Sequence, residues 1–529
     1  MCGIALIVGP DGSDARFRQM LDAIRPRGES EEVLIEPDLR LGTQRLKIVD
    51  RERARQPWVS ADGAFALCYN GEVFNYRELR DALAGNGARL RSESDTEVVL
   101  EAFLHWGTAG VSRLRGEFAF AVVERTTGRV YLGRDPLGVK PLYWVRAGQT
   151  LSVASELKAL VPLGLPVHEV PPGHHGWAEP GSDPKLAPYV DLFHLGEGLA
   201  PLDDPDEAVT ALDAAFDASV AARVDTDLTV GVVLSGGLDS SYVLATALRH
   251  HSDCVAFTIG TADSEDVATA RRLAADLGVP HEVLTVEPRQ LRWRDVREAI
   301  ASSELTEYGD VINATISNRL YEGVHRAGVK VVLCGDGADE LFGGYAMYRD
   351  TDAPARQRLF AHKLANLGRT ELQRVDRASM GHGVEARVPF LDIDLVELAM
   401  RVPPHLKVRD GVEKWILRQA AAGHLPDYVL RRRKLPLSHA SGLHERVRLF
   451  RPLFPRTYQS LGYELLGPAR RDFSNVLESN GYDLDAAVRS AVETPGYSPT
   501  EQALDFLGAL RWNLRRSLRT SGTSSPPVA

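Results

Sequence analysis

The apolar pattern of this chain changes character once, and that change constrains the fold more than any other feature. Residues 1–190 read as β-rich: short apolar runs such as Ile4–Val8, Phe65–Tyr69, Phe118–Val123 and Val130–Leu132 are separated by Gly, Asn and Asp turns. The segment Pro171–Asp206 then carries Pro171, Pro172, Pro180, Pro184, Pro188, Pro201 and Pro205, and its later part, 191–205, reads as a linker. Beyond it Val209, Leu212, Phe216 and Val220 recur at helical spacing. Thr229–Leu234 reads as a buried strand. Val267, Ala270, Leu273 and Leu277 mark a helix that stops at Gly278, and Glu282–Val286 reads as the next strand. Strand alternating with helix predicts a parallel sheet with helices on its faces. From about residue 355 the pattern is mostly helical. A chain of 529 residues is too long for one ordinary core. The expected architecture is therefore an α+β domain over 1–190 and an α/β domain over 206–520, with a small polar tail at 521–529 that reads as disordered.

Composition excludes several function classes. A formal charge of −10 argues against a general nucleic-acid or anionic-membrane surface, which needs clustered Lys and Arg. No apolar run is long enough to span a bilayer, and no basic stretch followed by a hydrophobic one opens the chain, so a cytoplasmic protein is expected. Cys2, Cys68, Cys254 and Cys334 form no CxxC pair and lie near no His at metal spacing, which suggests neither zinc nor a disulfide framework.

The chain begins Met1-Cys2-Gly3-Ile4. Removal of Met1 would leave Cys2 with a free α-amine, which titrates near pH ~8 and so can take the thiol proton. One residue then supplies nucleophile and base. The bland alternative is a small buried cysteine on a first strand. Arg45 suits a substrate carboxylate through its two-pronged guanidinium. Asn70-Gly71-Glu72 follows a strand, and an Asn amide beside a Gly N–H suits an oxyanion hole, although alone the pair reads as a hairpin turn. Glu72 and Asp95 could hold a substrate ammonium; an Arg with two carboxylates is what a free amino acid requires.

A second constellation starts at Leu234-Ser235-Gly236-Gly237-Leu238-Asp239-Ser240-Ser241, between a buried strand and a helix. Its glycines let backbone N–H groups turn toward one point at a helix N-terminus, an anion cradle. It lacks the Lys of a Walker A loop. Asp239 would repel phosphate unless a cation lies between, which suggests Mg²⁺. Val331–Leu333 reads as a strand leading into Cys334-Gly335-Asp336-Gly337-Ala338-Asp339-Glu340. Three carboxylates around two glycines require a cation or an ammonium; in isolation the run reads as a solvated acidic turn.

These segments resemble a known family. Met1-Cys2-Gly3, Arg27-Gly28, Arg45–Asp50, Asn70-Gly71-Glu72, Ser94-Asp95-Thr96-Glu97 and the RDPLGVKPLY string Arg134–Tyr143 occur in the order of the class II glutamine amidotransferases. That family's glutaminase domain is an αββα sandwich with an N-terminal nucleophile. The resemblance implies that Cys2 attacks the glutamine amide, that Asn70 and Gly71 stabilise the oxyanion, and that Arg45, Glu72 and Asp95 hold the amino-acid end. The SGGLDS loop resembles that of the ATP pyrophosphatases, which split ATP into AMP and pyrophosphate. With the GVEARVPFLD string Gly383–Asp392, the whole chain to about residue 440 is similar to glutamine-hydrolysing asparagine synthetases.

By that resemblance the loop from Leu234 to Ser240 binds ATP, bordered by Ile259, Cys334 and Gly335. Asp239 and Asp339 share Mg²⁺. Asp336, Lys414 and Lys434 serve the acyl-adenylate and pyrophosphate. Glutamine, ATP and a carboxylic acid are the expected ligands, and a homodimer is compatible with the family. Ammonia in neutral water is mostly protonated, so coupling two sites requires a dry passage between the domains.

The chain also departs from the family pattern. Pro26-Arg27-Gly28-Glu29-Ser30 stands where relatives usually have His-Arg-Gly-Pro-Asp, and Thr43 where they often have His. Asp336 replaces the usual Glu, and Tyr308–Thr315 has no Arg or Lys for the α-carboxylate of aspartate. The acceptor is therefore aspartate, with a basic residue such as Arg349 or Arg374 arriving from elsewhere, or another carboxylic acid, such as a specialised metabolite. A cyclising ligase of β-lactam synthetase type, a bare glutaminase and a non-catalytic binding or assembly subunit are the alternatives. Retention of Cys2 and the glutamine-site set counts against the first, the nucleotide loops against the second, and Cys2 together with the Asp239/Asp339 pair against the third.

Overall fold

The computed structural model describes residues 1–305, 308–351, 353–433 and 443–461, with a few positions between 506 and 514. Lys434 and the 521–529 tail lie outside the described residues.

Period-two alternation sorts the N-terminal strands into two faces. In the first strand Ile4, Leu6 and Val8 cluster with Ala66, Cys68, Ala119, Ala121, Val130 and Leu132, the fill between two sheets. Ala5 and Ile7 turn the other way, toward Phe17, Met20 and Leu21 of the helix Asp14–Ala23. On the second sheet Leu67, Tyr69, Phe118, Phe120 and Val122 group with Leu79, Leu83, Val98 and Val99 of the helices Tyr76–Gly85 and Asp95–Trp106. Helix, sheet, sheet, helix is the resulting layering.

The strands are β1 (Cys2–Val8), β2 (Ser30–Glu36), β3 (Leu39–Arg45), β4 (Trp58–Val59), β5 (Phe65–Val73), β6 (Gly116–Glu124), β7 (Arg129–Arg134), β8 (Tyr143–Ala147), β9 (Thr150–Ala154), β10 (His168–Glu169), β11 (His174–Ala178) and β12 (Lys185–Pro188). They form two six-stranded sheets, ordered β10-β8-β9-β1-β3-β2 and β12-β11-β7-β6-β5-β4. Cys2 pairs with Arg45 across β1 and β3, and Asn70 with Ala119 across β5 and β6.

The second sheet system is parallel throughout: β13 (Val230–Val233), β14 (Cys254–Gly260), β15 (His281–Thr285), β16 (Val331–Leu333) and β17 (Glu385–Arg387), in the order β15-β14-β13-β16-β17. The chain winds outward one way from β13 and then returns to its other side at β16. Ligands in such sheets bind where the strand order reverses, outside the carboxyl ends. The loops after β13 and β16 are the Ser-Gly-Gly and acidic loops. β17 was not legible in the sequence: it is three residues inside a mostly helical region, too short for a period to show.

The two halves meet over a buried ionic seam. Arg27 reaches Glu156 at 2.6 Å and Asp376 at 2.8 and 3.0 Å, and Arg377 reaches Glu304 at 3.0 Å. Glu117 holds Lys140 at 3.2 Å and Arg223 at 3.3 Å, and accepts the Val388 N–H at 3.0 Å. Lys140 donates to the Ala386 carbonyl at 3.4 Å. The RDPLGVKPLY and GVEARVPFLD strings therefore meet across the seam. Glu29, one of the family departures, pairs with Lys330 at 2.9 Å.

Candidate active sites

Cys2 opens onto a small cavity at one end of the sandwich, lined also by Met1, Arg45, Gln56, Tyr69, Gly71, Glu72, Ser94 and Asp95. Its backbone N–H donates to Asn70 Oδ1 at 3.0 Å. That bond fixes the Asn70 amide: Nδ2 points away, buried and with no hydrogen-bond partner among the described residues. Asn70, Gly71 and Glu72 lie inside β5, not in a turn. A Cβ on Gly71 would run into the Glu117 carbonyl of the neighbouring strand, so this sheet position admits glycine alone. Burial pushes the Cys2 thiol up, against the pull of the N-terminal ammonium and Arg45.

Glu72 and Asp95 are both buried and both held above the ordinary carboxylate range, first by desolvation; for Glu72 the Asp95 charge adds to it. Asp95 accepts from the Tyr69 hydroxyl at 2.7 Å and the Val73 N–H at 3.2 Å, while Glu72 has Arg387 at 3.7 Å. Two carboxyls raised in this way would be relieved by a cation between them. The Arg45 guanidinium is steadied by the Arg51 and Asp50 carbonyls, at 3.1 and 3.2 Å. Met1 is buried in the same cavity, its ammonium 2.6 Å from Glu385. Thr43, another departure from the family, sits on β3 beside Cys68, whose thiol burial pushes up to about 12.

The second cavity, about 480 Å³, lies at the carboxyl ends of β13 and β16. It is lined by Ser235, Asp239, Ser240, Cys334, Gly335, Asp336, Asp339 and Arg374, among others. Gly236 adopts φ +68°, where a side chain would strain and would press on Thr269 and Ala270. Gly335 lets the two loops close: a Cβ there would lie 3.0 Å from Asp239 Cβ. Lys414 Nζ stands 2.5 Å from Asp239 Oδ2 and 2.5 Å from Asp339 Oδ1. Lys414 itself sits at φ +55°, a left-handed conformation that costs about 1–3 kcal/mol for a non-glycine residue. A smaller cavity beside the loop is lined by Gly237, Leu238, Lys414, Arg418, Arg432 and Arg433.

Most residues anticipated from the sequence converge on these two places. Leu234, just past β13, and Ile259, in β14, are buried and line neither cavity; Asn70 is likewise buried behind the first cavity and reaches Cys2 only through the Cys2 N–H. The missing base near Asp336 is supplied from elsewhere. Arg374, on the helix Glu371–Met380, reaches Asp336 at 2.6 Å, while Arg349 pairs with Glu413 at 3.0 Å. Sequence reasoning missed Gln56, Arg418, Arg432 and Arg433, none of which lies in a motif with a mechanism attached. Glu385 and Arg387 stood in a quoted string without a role.

Residues 1–171 match the family model for a glutamine amidotransferase domain, and residues 211–358 and 350–472 match that for asparagine synthase, beyond the residue-440 limit of the resemblance. Asparagine synthetase B (glutamine-hydrolysing) of Escherichia coli K12 is 33% identical over 427 residues, 76% of this chain and 74% of that one. Asparagine synthetase (glutamine-hydrolysing) 3 of Arabidopsis thaliana is 32% identical over 472 residues, 84% and 79% of the two chains. That of Sandersonia aurantiaca is 31% identical over 474 residues, 84% and 87%. With an N-terminal cysteine pocket joined to a nucleotide-type switch-point cavity, and relatives that span both, this chain belongs to the glutamine-hydrolysing asparagine synthetase family, ATP-dependent ligases that form an amide with nitrogen taken from glutamine.

Proposed function

We propose that Cys2 releases ammonia from glutamine and that the second cavity activates a carboxylic acid as an acyl-adenylate, which the ammonia converts to an amide. One observation carries the reading: Asp239 and Asp339, from separate loops, converge on one cation at the switch point of a parallel sheet. Asn70 Nδ2 supports the glutaminase half, as a preset donor for a developing oxyanion beside Gly71. After removal of Met1, the α-amine of Cys2 takes its thiol proton and the thiolate attacks the glutamine amide carbon. Arg45 holds the α-carboxylate of glutamine, and Glu72 with Asp95 its ammonium.

The donor set at the second site fits Mg²⁺. Asp239 and Asp339 are hard oxygen ligands, and among the described residues no group of three or more ligating side chains occurs. That leaves the other positions to phosphate oxygens and water, as Mg²⁺ prefers. Bound there, it would neutralise charge on the departing pyrophosphate. Lys414 holds the same phosphates from the protein side, with Arg418 and Arg432 near. The Ser-Gly-Gly loop is held by its own hydroxyls, with Ser235 N–H donating to Ser240 Oγ at 3.1 Å and Gly237 N–H to Ser235 Oγ at 3.2 Å, and it would present the N-terminus of the following helix to the nucleotide.

Aspartate is the acceptor the geometry fits best, because Arg374 and Asp336 offer the paired charges that a zwitterion needs. One observation favours a different acid: Asp336 is a methylene shorter than the family's Glu and is already engaged by Arg374. We assign residues 1–190 and 206–520 as the two units, joined by 191–205; β12 ends at Pro188 and the helix Pro205–Arg223 precedes the parallel sheet. Neither half-reaction needs nucleic acid or membrane, and among the described residues no helix is long and apolar enough to cross one. A cytoplasmic homodimer completes the proposal. The test is ATP–pyrophosphate exchange across a panel of carboxylic acids with ammonia supplied. Exchange dependent on one acid supports the adenylation reading, and L-aspartate ranking first makes the enzyme an asparagine synthetase. Absence of exchange with every acid refutes it.

A further inference from the structure

We propose that Gln56 donates a hydrogen bond to the sulfur of Cys2 and so stabilises the nucleophile in its thiolate form. The inference rests on the reading of Cys2 as that nucleophile.

The orientation of the Gln56 amide follows from its neighbours. The Tyr69 backbone N–H lies 2.7 Å from one end of the amide. A backbone N–H only donates, so that end is the oxygen, Oε1. The other end, Nε2, is then a donor by necessity, and it lies 3.7 Å from Cys2 Sγ, within reach of a sulfur acceptor. Gln56 is 4% exposed, so the amide cannot be satisfied by turning into solvent. Its own backbone N–H donates to Glu32 Oε2 at 2.6 Å, which pins the loop to β2. Side chain and main chain are both held before any substrate arrives.

The charged groups facing Cys2 are mixed. Arg45 on β3 and the Leu46 backbone favour the thiolate, as does the Met1 ammonium until Met1 is removed; burial and Asp95 oppose it. Glu32, 3.6 Å from Arg45, adds negative charge nearby, while burial and the Asp95 charge hold the Glu72 carboxyl on β5 above the usual range, against ionisation. Arg27 is directed to the Cys2 carbonyl at 3.0 Å, not to the sulfur. A neutral N–H donor aimed at the sulfur stabilises the anion without adding a charge that would compete for the carboxylate of glutamine. The thiol proton passes to the Cys2 α-amine, and no bond of Gln56 is made or broken.

The test uses the full-length enzyme with Met1 removed. Gln56→Glu keeps an oxygen for the Tyr69 N–H and replaces the donor by an acceptor, and Gln56→Met removes both. Cys2 alkylation by iodoacetamide is followed against pH by mass spectrometry of the N-terminal peptide, alongside glutaminase kinetics and ammonia-dependent synthesis. Gln56→Glu and Gln56→Met are expected to raise the alkylation midpoint by about one pH unit, since a hydrogen bond to a charged group is worth about 1.5 kcal/mol or more. Glutaminase kcat near neutrality should drop about tenfold, with KM for glutamine and ammonia-dependent synthesis unchanged. An unmoved midpoint in both variants overturns the proposal and leaves Gln56 a brace for Tyr69. Should either variant fold poorly, wild-type enzyme labelled with ¹⁵N-glutamine decides. One side-chain amide resonance must shift when Cys2 is alkylated, and no shift overturns the inference. Cys2→Ala separates the two readings: if it still hydrolyses glutamine, the nucleophile assignment fails, whatever Gln56 does.

Discussion

Replacing Gly344 by alanine should disable the ATP half of the enzyme while leaving its stability nearly intact. A Cβ at position 344 would lie 2.5 Å from Lys414 Cε and closer still to Asp339 Oδ1. Both are the far ends of flexible side chains, and the backbone of Gly344 lies outside the left-handed region, so alanine brings no backbone strain. To clear 3.0 Å, Asp339 Oδ1 must retreat by about 1.3 Å and Lys414 Cε by about 0.5 Å, and these are the groups proposed to hold the metal and phosphates. A misplacement of that size costs roughly 10²-fold, or about 2.7 kcal/mol of transition-state stabilisation. The assay is pyrophosphate release with saturating ATP, acceptor acid and ammonia, beside glutamine hydrolysis in the same preparation. Pyrophosphate release should fall about 10²-fold, glutamine hydrolysis should stay within about twofold, and Tm should move by only a few degrees. Wild-type pyrophosphate release from Gly344→Ala would refute the placement of Asp339 and Lys414 at the reacting phosphates.

Three further outcomes follow from the same geometry. Cys2→Ala should lose glutamine-dependent synthesis and keep synthesis from added ammonia; loss of both in a folded protein would contradict the two-site assignment. Asp239→Asn and Asp339→Asn should each cut ATP consumption by roughly 10²-fold or more and spare glutamine hydrolysis, so ordinary pyrophosphate release from either variant argues against the metal pair. Asp376→Asn removes the charge that Arg27 and Arg377 share in the seam and should cost about 3–5 kcal/mol in urea unfolding. Asp376 is buried, yet the Arg27 charge and hydrogen bonds hold its carboxyl below the usual range. Its stabilisation is therefore complete above about pH 4, where the unfolded carboxyl has ionised, and is lost as pH falls below that. The acid limb of the stability curve should be shallower in Asp376→Asn, and an identical limb would show that the seam does not depend on this charge.

Much of the fold was legible because its signals are local. Helix stops such as Gly278, which sits at φ +67° at the end of the helix Glu265–Leu277, are set by neighbours within a few residues. The same holds for the switch from period two to strand-helix alternation across the proline-rich stretch. Asn70-Gly71 misleads for the same reason: locally it reads as a turn, but pairing with Phe118 and Ala119 keeps it in strand. β17 exists only because Glu385–Arg387 finds β16, a partner about fifty residues earlier in the chain.

What the sequence by itself determined is the chemistry on offer: a cysteine at position 2, a Ser-Gly-Gly loop between strand and helix, an acidic loop after another strand, and the order in which they come. What only the tertiary structure decided is which charges meet. Lys414 bridges Asp239 and Asp339 although 175 positions separate it from Asp239, Arg374 answers Asp336, and Gln56 faces Cys2. A lysine or glutamine on a loop carries no period and no motif that names its partner. Its effect depends on a distance of a few ångströms and on exclusion of water, because a charge or donor in a dry site acts several-fold more strongly than one in solvent. Both quantities come into being only when each unit folds and brings its distant loops together.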